Sequence, residues 1–172
     1  MSPQSISPQT MSLEDAGFTS PRAHVVLYQP EIPPNTGNIG RTCVAVEAKL
    51  WLVQPLGFDL SSAAIRRSGL DYWQHLDVQV VSDWSQLLAS LPQTERMFFL
   101  SRHAKRPHWE PQFEVGDVFV FGSESSGLPA SILDPEDPRS LRLPTNTRVR
   151  SLNLATTAGI VMYEHFRQIQ VV

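Results

Sequence analysis

Short runs of nearly uninterrupted apolar residues punctuate this chain at 24–28, 50–54, 78–81, 97–100 and 118–121, with a shorter one at 140–143. A strand with one wet face alternates apolar and polar positions; continuous runs belong to strands covered on both faces, as in parallel sheets. Between the runs lie stretches with helical spacing at 38–48, 61–68, 83–91 and 154–168. Asp83 stands where an N-cap belongs, ahead of Trp84, Leu87, Leu88 and Leu91. The last stretch places Leu154, Ala158, Val161, Met162 and Phe166 on one side. Strands alternating with helices predict an α/β domain whose mostly parallel sheet is flanked by helices. Neither an internal repeat nor an interdomain linker interrupts the pattern.

Residues 1–23 are rich in Ser, Pro and Gln and hold no apolar run, which predicts a disordered tail; 24–172 then forms the one domain that 172 residues suit. The tail has neither the basic n-region nor the apolar h-region of a secretory signal, and no stretch reaches the length of a bilayer span. A single cysteine, Cys43, has no internal disulfide partner, which fits a reducing compartment. The expectation is a cytoplasmic protein without membrane contact, with Cys43 a small buried hydrophobe rather than a nucleophile. A net charge of −3 argues against a general nucleic-acid binder but leaves room for a local basic patch. No His/Cys/Asp/Glu cluster has ligand spacing, so no metal is expected.

Candidate chemistry sits in three polar, Gly- or Pro-punctuated segments at or near the ends of apolar runs, where loops of an α/β sheet converge on one site. In 35–41, Pro33 and Pro34 end the strand's approach, Gly37 and Gly40 allow close backbone approach near a helix start, and Asn35 and Asn38 can cap or bind a ligand. Arg41 falls in the first turn of the predicted helix, where a cation opposes the macrodipole and is more easily explained by a ligand than by stability. The dinucleotide fingerprint and the P-loop are both absent. In 122–129, Gly122 exposes backbone groups at a strand end, and Glu124 is an acceptor for a ribose hydroxyl, a partner for Arg41 or a cap for a following helix. The Gly-x-Ser-x-Gly of hydrolases does not occur here. In 143–154, Leu143 can wall an apolar slot of adenine size, while Ser151 and Asn153 can cap the last helix, face a ligand, or both.

Taken in order, Leu27-Tyr-Gln-Pro-Glu-Ile-Pro-Pro-Asn-Thr-Gly-Asn-Ile-Gly-Arg41, Arg66-Arg-Ser-Gly-Leu-Asp-Tyr72, Phe121-Gly-Ser-Glu124, Gly127-Leu-Pro-Ala-Ser-Ile-Leu133, Ser151-Leu-Asn-Leu154 and Tyr163-Glu164 carry a family likeness. They resemble the motifs of the SpoU branch of the SPOUT superfamily of RNA methyltransferases. More narrowly, the chain looks like the small single-domain members that 2'-O-methylate the wobble nucleotide of certain tRNAs. The resemblance runs from about residue 24 to the C-terminus.

It implies a SPOUT-type fold with its C-terminal part threaded into a deep trefoil knot, a homodimer with a site shared across the interface, S-adenosylmethionine as methyl donor, and tRNA as substrate. By motif position the donor would touch Leu100, Gly122, Leu143 and Ser151, with Leu152 nearby. Arg41 would act at the 2'-hydroxyl, Asn35, Glu124 and Asn153 would position it or the ribose, and Tyr163 would lie near the interface or the substrate. The implied reaction is 2'-O-methylation of a wobble cytidine or modified uridine in leucine-type tRNAs. Its rivals are the same chemistry at another tRNA position or on rRNA, and a non-catalytic RNA-binding dimer.

Candidate RNA contacts are Arg66 and Arg67, the run holding Arg102, Lys105 and Arg106, and a third set of Arg139, Arg142, Arg148 and Arg150, with Tyr72, Trp73 and Trp109 available to stack on bases. The small residues Ala155, Thr156, Ala158 and Gly159 mark either packing on the chain's own sheet or a homodimer contact. Two positions depart from the family pattern: Ala155 stands where relatives commonly have Ser, and Ser126 stands where many have a basic residue, which removes one RNA contact.

Overall fold

In the computed structural model, which describes residues 20–60 and 72–169, the apolar runs form the strands β1 (Ala23–Tyr28), β2 (Ala48–Val53), β3 (Val78–Val81), β4 (Met97–Leu100), β6 (Asp117–Phe121) and β7 (Ser140–Arg142). A seventh, β5 (Arg106–Pro107), lies within the basic run and was not foreseen. The helices are α1 (Pro33–Ala45), α2 (Trp84–Ser90) and α3 (Leu154–Ile169), with a 3-10 turn at Trp73–His75. One sheet in the order β3-β2-β1-β6-β4-β7-β5 holds all the strands, and every pairing is parallel.

Parity along the strands explains the continuous apolar runs. Val25, Leu27, Leu50, Leu52, Phe119 and Phe121 face one side, where Ile39 and Cys43 of α1 and Ala158, Val161 and Met162 of α3 cover them. Val26, Trp51, Val53, Val118 and Val120 face the other, under Leu87 of α2 and the segment with Leu128 and Leu133. Both faces are dry, so apolar residues dominate at both parities, and buried polar side chains on the strands are paired: Trp51 Nε1 donates to His24 Nδ1 at 3.1 Å, and Arg96 Nε donates to Asp117 Oδ1. Cys43 is fully buried and burial pushes its thiol up, as befits a packed hydrophobe. His165 was not foreseen in the core; its Nε2 lies 3.0 Å from the Glu114 carbonyl, and burial pushes its pKa down.

Three expectations shift. First, α1 begins at Pro33 rather than 38, because proline's set φ and missing N–H suit the first helical positions, where no intrahelical acceptor exists. Asn35, Thr36 and Gly37 are therefore helical, and neither Asn35 nor Asn38 is the N-cap. Arg41 lies beyond the second turn instead of in the first, so the macrodipole argument for it does not apply. Second, Asp83 caps α2 as expected, its Oδ1 accepting from Gln86 N at 2.9 Å, but Leu88 is exposed while Leu87 and Leu91 are buried. Third, β1 starts at Ala23 and Arg22 pairs with Glu47, so ordered structure reaches slightly into the expected tail. The rest of that tail up to 19, and the helix expected at 61–68, lie outside the described residues.

Register decides where loops meet. Leu27, Phe121, Leu100 and Leu141 stand side by side on β1, β6, β4 and β7, so these adjacent strands end level at their C-terminal edge. Among the described residues no helix is long and apolar enough to cross a membrane.

Candidate active site at the level strand ends

The segments that follow those four strands enclose a cleft of about 810 Å³. Its floor is the strand ends themselves, Leu100, Phe121 and Leu141.

One wall is the loop after β6. Ser123 and Gly127 pair across it as an isolated antiparallel bridge, with Gly127 N donating to the Ser123 carbonyl at 2.9 Å. Gly122 passes so close beneath the returning strand that a Cβ there would overlap the Gly127 carbonyl carbon and lie 2.6 Å from its Cα. Gly127 closes the turn at φ +71°, a left-handed conformation that glycine adopts without strain. The turn is thus built by two glycines, and it lifts Glu124 toward the start of α1.

Glu124 ties the three sequence segments together. Its Oε2 accepts from Glu31 N at 2.8 Å, and its Oε1 accepts from Ile32 N at 3.3 Å and from Asn35 Nδ2 at 2.9 Å. The carboxylate therefore holds the entry to α1, not a helix that follows it. Asn35 accepts in turn, at its Oδ1, from Asn153 Nδ2 at 2.9 Å. Asn153 Oδ1 accepts from Ala155 N at 2.9 Å and Thr156 N at 3.3 Å, capping α3. Asn153 thus caps α3 and lines the cleft at once, while Ser151 is an exposed part of the cleft wall. Asn35 is only 5% exposed, and its amide orientation is dictated because one end must donate to a carboxylate. A carboxylate offers about four lone-pair positions; three are taken here, which leaves acceptor capacity on Glu124 where it lines the cleft.

The sequence model of the SpoU rRNA Methylase family matches residues 22–163. This chain belongs to the SpoU methylase family. A relative from Methylovorus glucosotrophus, named tRNA (cytidine(34)-2'-O)-methyltransferase, is 46% identical over 145 residues, covering 84% of this chain and 94% of the relative. A relative of the same name from Burkholderia cenocepacia is 47% identical over 149 residues, with the same coverage of each. A solved structure described as giving insights into the 2-OH methylation of C/U34 on tRNA superposes with a TM-score of 0.80 at 43% identity, covering 85% of this chain and 95% of the other.

Within this SpoU-family chain the expected site residues divide into groups. Leu100, Gly122, Leu143, Ser151 and Leu152 all line the cleft, as do Asn35, Glu124 and Asn153. Arg102 and Arg150 stand on its wall too. Arg41 does not; its guanidinium lies 4.7 Å from the centroid of the Tyr72 ring, whose hydroxyl donates to the Gly37 carbonyl. Tyr163 is exposed on α3, and Arg66 and Arg67 lie outside the described residues. Lys105 pairs with Glu136 at 2.6 Å and Arg106 with Glu110 at 3.6 Å, so the basic run is matched by acids that its own sequence did not include.

The sequence did not show the place of two residues, one on the cleft wall and one just outside it. Arg142 was one of a set, and only the level strand ends place it on the wall. Glu31 was one letter of a motif, and its partner is 94 positions away, beyond any local pattern.

Proposed function

We propose that this chain transfers a methyl group from S-adenosylmethionine to the ribose 2'-hydroxyl of nucleotide 34, a wobble cytidine or modified uridine, in leucine-type tRNAs. The observation that carries the reading is the Glu124–Asn35–Asn153 node in a cleft that sets leucine side chains beside polar and cationic ones, in a chain of this family with relatives named for that reaction.

The donor set fits S-adenosylmethionine. Leu100, Leu143 and Leu152 offer apolar walls for a purine, and backbone groups near Gly122 and Ser151 lie beside them. The Glu124 carboxylate suits a cationic sulfonium or a ribose hydroxyl. When bound, the donor supplies an electrophilic methyl on sulfur. The chain's residues do the rest by holding the acceptor: Glu124 accepts the hydroxyl on its remaining lone pair and takes its proton as the oxygen–methyl bond forms and the sulfur–methyl bond breaks, while Asn35, itself held by Asn153, keeps the carboxylate from rotating. Holding reactants in near-attack geometry accounts for most of the rate that a transfer of this kind needs. A guanidinium offers donors and no acceptor, so Arg41 is not the base; in this reading it grips the 2'-oxygen and a neighbouring phosphate.

Because Arg41 stands outside the cleft wall, the reading includes a homodimer that completes the site. On α3, Thr156, Ile160, Tyr163 and Arg167 form one outward stripe, with Ile160 40% and Tyr163 55% exposed. Gly159 has no neighbour within 4 Å of a would-be Cβ, whereas Ala158 is spent on the sheet. The reading also includes the trefoil knot of the SPOUT fold, formed where the segment after β7 passes back to Asn35, and a cytoplasmic location.

The RNA contacts we assign are Arg102 and Arg150, with Lys105, Arg106, Arg66, Arg67 and Tyr163 as secondary contacts, and Arg142 added. Among the described residues Arg102, Arg142, Arg148 and Arg150 form no ion pair, while Arg22, Lys49, Arg96, Lys105, Arg106, Arg139 and Arg167 each do. Three of those four line the cleft, so an acidic chain still presents uncompensated positive charge there. Replacing Arg102, Arg142 and Arg150 together by Ala is expected to flatten the log–log salt dependence of tRNA binding by roughly two units, at about 0.7 per phosphate contact. Lys105→Ala should change it less, because that ammonium already has a carboxylate. Filter binding between about 50 and 300 mM salt, a range over which the counterion treatment gives a measurable slope, reads the difference; equal slopes for the triple variant and the parent chain would refute the assignment.

The test of the function itself is transfer of labelled methyl from S-adenosylmethionine to tRNA lacking ribose methylation at the wobble position, with the product mapped by nuclease digestion and mass spectrometry. A 2'-O-methyl at nucleotide 34 is the expected result. Transfer to another nucleotide or to rRNA overturns the substrate, and donor binding without any transfer overturns the reaction.

A further inference from the structure

We infer that Glu31 is a positioning residue for methyl transfer: its carboxylate clamps the Glu124 loop from outside the cleft. The inference rests on the reaction proposed above. Glu31 Oε2 accepts from Ser125 N at 3.0 Å and its Oε1 accepts from Ser125 Oγ at 2.6 Å. In return Glu124, the residue before Ser125, accepts from Glu31 N at 2.8 Å. Two neighbouring residues of one loop and one residue of another thus exchange charge-assisted hydrogen bonds in both directions, between segments far apart in sequence. The pairing has the reciprocal logic of a capping box, made between two strand-end loops rather than within one helix.

The foundation of the clamp is built as closely as the clamp. Gly57, in the segment after β2, donates its N–H to the Pro30 carbonyl at 2.9 Å. A Cβ on Gly57 would lie 2.7 Å from Glu31 Cα and 3.0 Å from its carbonyl oxygen. Only a residue without a side chain lets that backbone seat directly under Glu31. Three loops from adjacent strands are therefore stacked: 57 under 31, and 31 against 124–125.

Core stability does not account for this construction. Glu31 and Ser125 are exposed, and the strands that carry them are anchored by fully buried side chains on both faces. What the contacts do is fix the tip of a loop whose other ties are the Ser123–Gly127 bridge, the Ser126 N–H bond to Ser123 Oγ at 3.3 Å, the Ser126 hydroxyl 2.9 Å from that of Ser123 and 3.4 Å from that of Ser125, and the bonds that Glu124 accepts from Ile32 and Asn35. The Glu124 carboxylate sits at that tip, and Asn35 and Asn153 take their orientation from it. Glu31 is not itself part of the cleft lining and touches no reacting atom; it acts through the lining residues Glu124 and Ser125.

The clamp is tested with the full chain and four variants: Glu31→Ala, Glu31→Gln, Ser125→Ala, and the Glu31→Ala/Ser125→Ala double. In Glu31→Ala, kcat is expected to fall between tenfold and about a hundredfold, the range associated with misplacement by about an ångström. KM for tRNA should hold, since the arginines that meet the RNA are elsewhere. Glu31→Gln keeps an oxygen for Ser125 N and an NH2 for the hydroxyl, and should stay within about threefold of the parent, the scale of one neutral hydrogen bond. The double variant should be no slower than Glu31→Ala, because both changes break one contact. Hydrogen exchange supplies a readout that needs no substrate: amides of 122–128 should exchange faster in Glu31→Ala and at the parent rate in Glu31→Gln. Unchanged exchange at 122–128 overturns the clamp, as does an unchanged kcat or a Glu31→Gln variant as slow as Glu31→Ala. A parent chain that transfers no methyl overturns the reaction instead, and the exchange comparison still decides the clamp.

Discussion

Gly122→Ala weakens S-adenosylmethionine binding by at least about a hundredfold, roughly 2.7 kcal/mol; that is the largest effect expected of any single methyl group added to this chain. The reason is steric and specific. The new Cβ would overlap the Gly127 carbonyl carbon, and what it meets is backbone on every side: the Gly127 carbonyl carbon and Cα and the Leu128 amide nitrogen. A flexible side chain yields to such a contact by changing rotamer, whereas backbone in a bridged turn can only separate. Opening the turn breaks the Ser123–Gly127 bridge and carries Glu124 away from Glu31, Ile32 and Asn35 together. The sheet should survive, since Phe121 and its neighbours on β6 are gripped from both faces. Gly127→Ala is the matched control. Nothing lies within 4 Å of its would-be Cβ, so it bears only the strain of φ +71°, of the order of 1–2 kcal/mol. Isothermal titration with the donor, alongside thermal melts, separates a lost site from a lost fold. A Gly122→Ala chain that binds the donor like its parent would show that the cleft wall is not the binding surface.

The second large effect is electrostatic and depends on pH. Asn35→Asp should slow methyl transfer about a hundredfold or more near pH 8, with activity returning as the medium is acidified, because a like charge close to a carboxylate raises a pKa. Asn35 Nδ2 donates to Glu124 Oε1 at 2.9 Å in a nearly dry position. Aspartate puts a second carboxylate oxygen where that donor was, and two like charges at such range cannot both stay ionised, so one pKa of the pair rises. Above the raised pKa the carboxylates repel and the node opens. Below it the shared proton sits between them, the introduced aspartate donates to Glu124 as the amide did, and its other oxygen still accepts from Asn153. The folded variant then binds a proton that the unfolded chain binds less tightly, so its stability, like its activity, improves as pH falls. Asn35→Ala provides the contrast, because it loses the same contacts with nothing to protonate and should show no acid rescue. Profiles of kcat against pH for the parent chain and both variants test this. Parallel profiles for Asn35→Asp and Asn35→Ala would mean that the amide does not orient Glu124.

Much of the molecule could be read before it was folded. Six strands were legible, most of them as nearly continuous apolar runs, because burial on two faces selects apolar residues at both parities. Asp83 could be assigned as a cap because capping is decided within one turn. Other features misled for equally physical reasons. Pro33 and Pro34 read as the end of a strand, yet the same fixed φ and missing N–H make them the start of α1. The two residues of β5 carry no apolar signal, since an edge strand this short is recruited by β7 and by the His108 N–H bond to the Arg142 carbonyl. The run from Arg102 to His108 looked uniformly basic, but Glu136 approaches Lys105 from 31 residues away.

By itself, then, the sequence determined the α/β class, the order of six of the seven strands, the two-faced burial of the sheet and the family, because each rests on residue type at short spacing or on motif order. Only the tertiary structure decided that Glu124 reaches back to α1, that Asn153 unites a helix cap with Asn35, that Arg41 stands outside the cleft wall, and that Glu31 and Gly57 brace the loop from beneath. Those facts depend on four parallel strands ending level. That levelling is a property of which residues pair between strands far apart in the chain, and the apolar pattern fixes which face each strand buries without naming its neighbour or where it ends beside it.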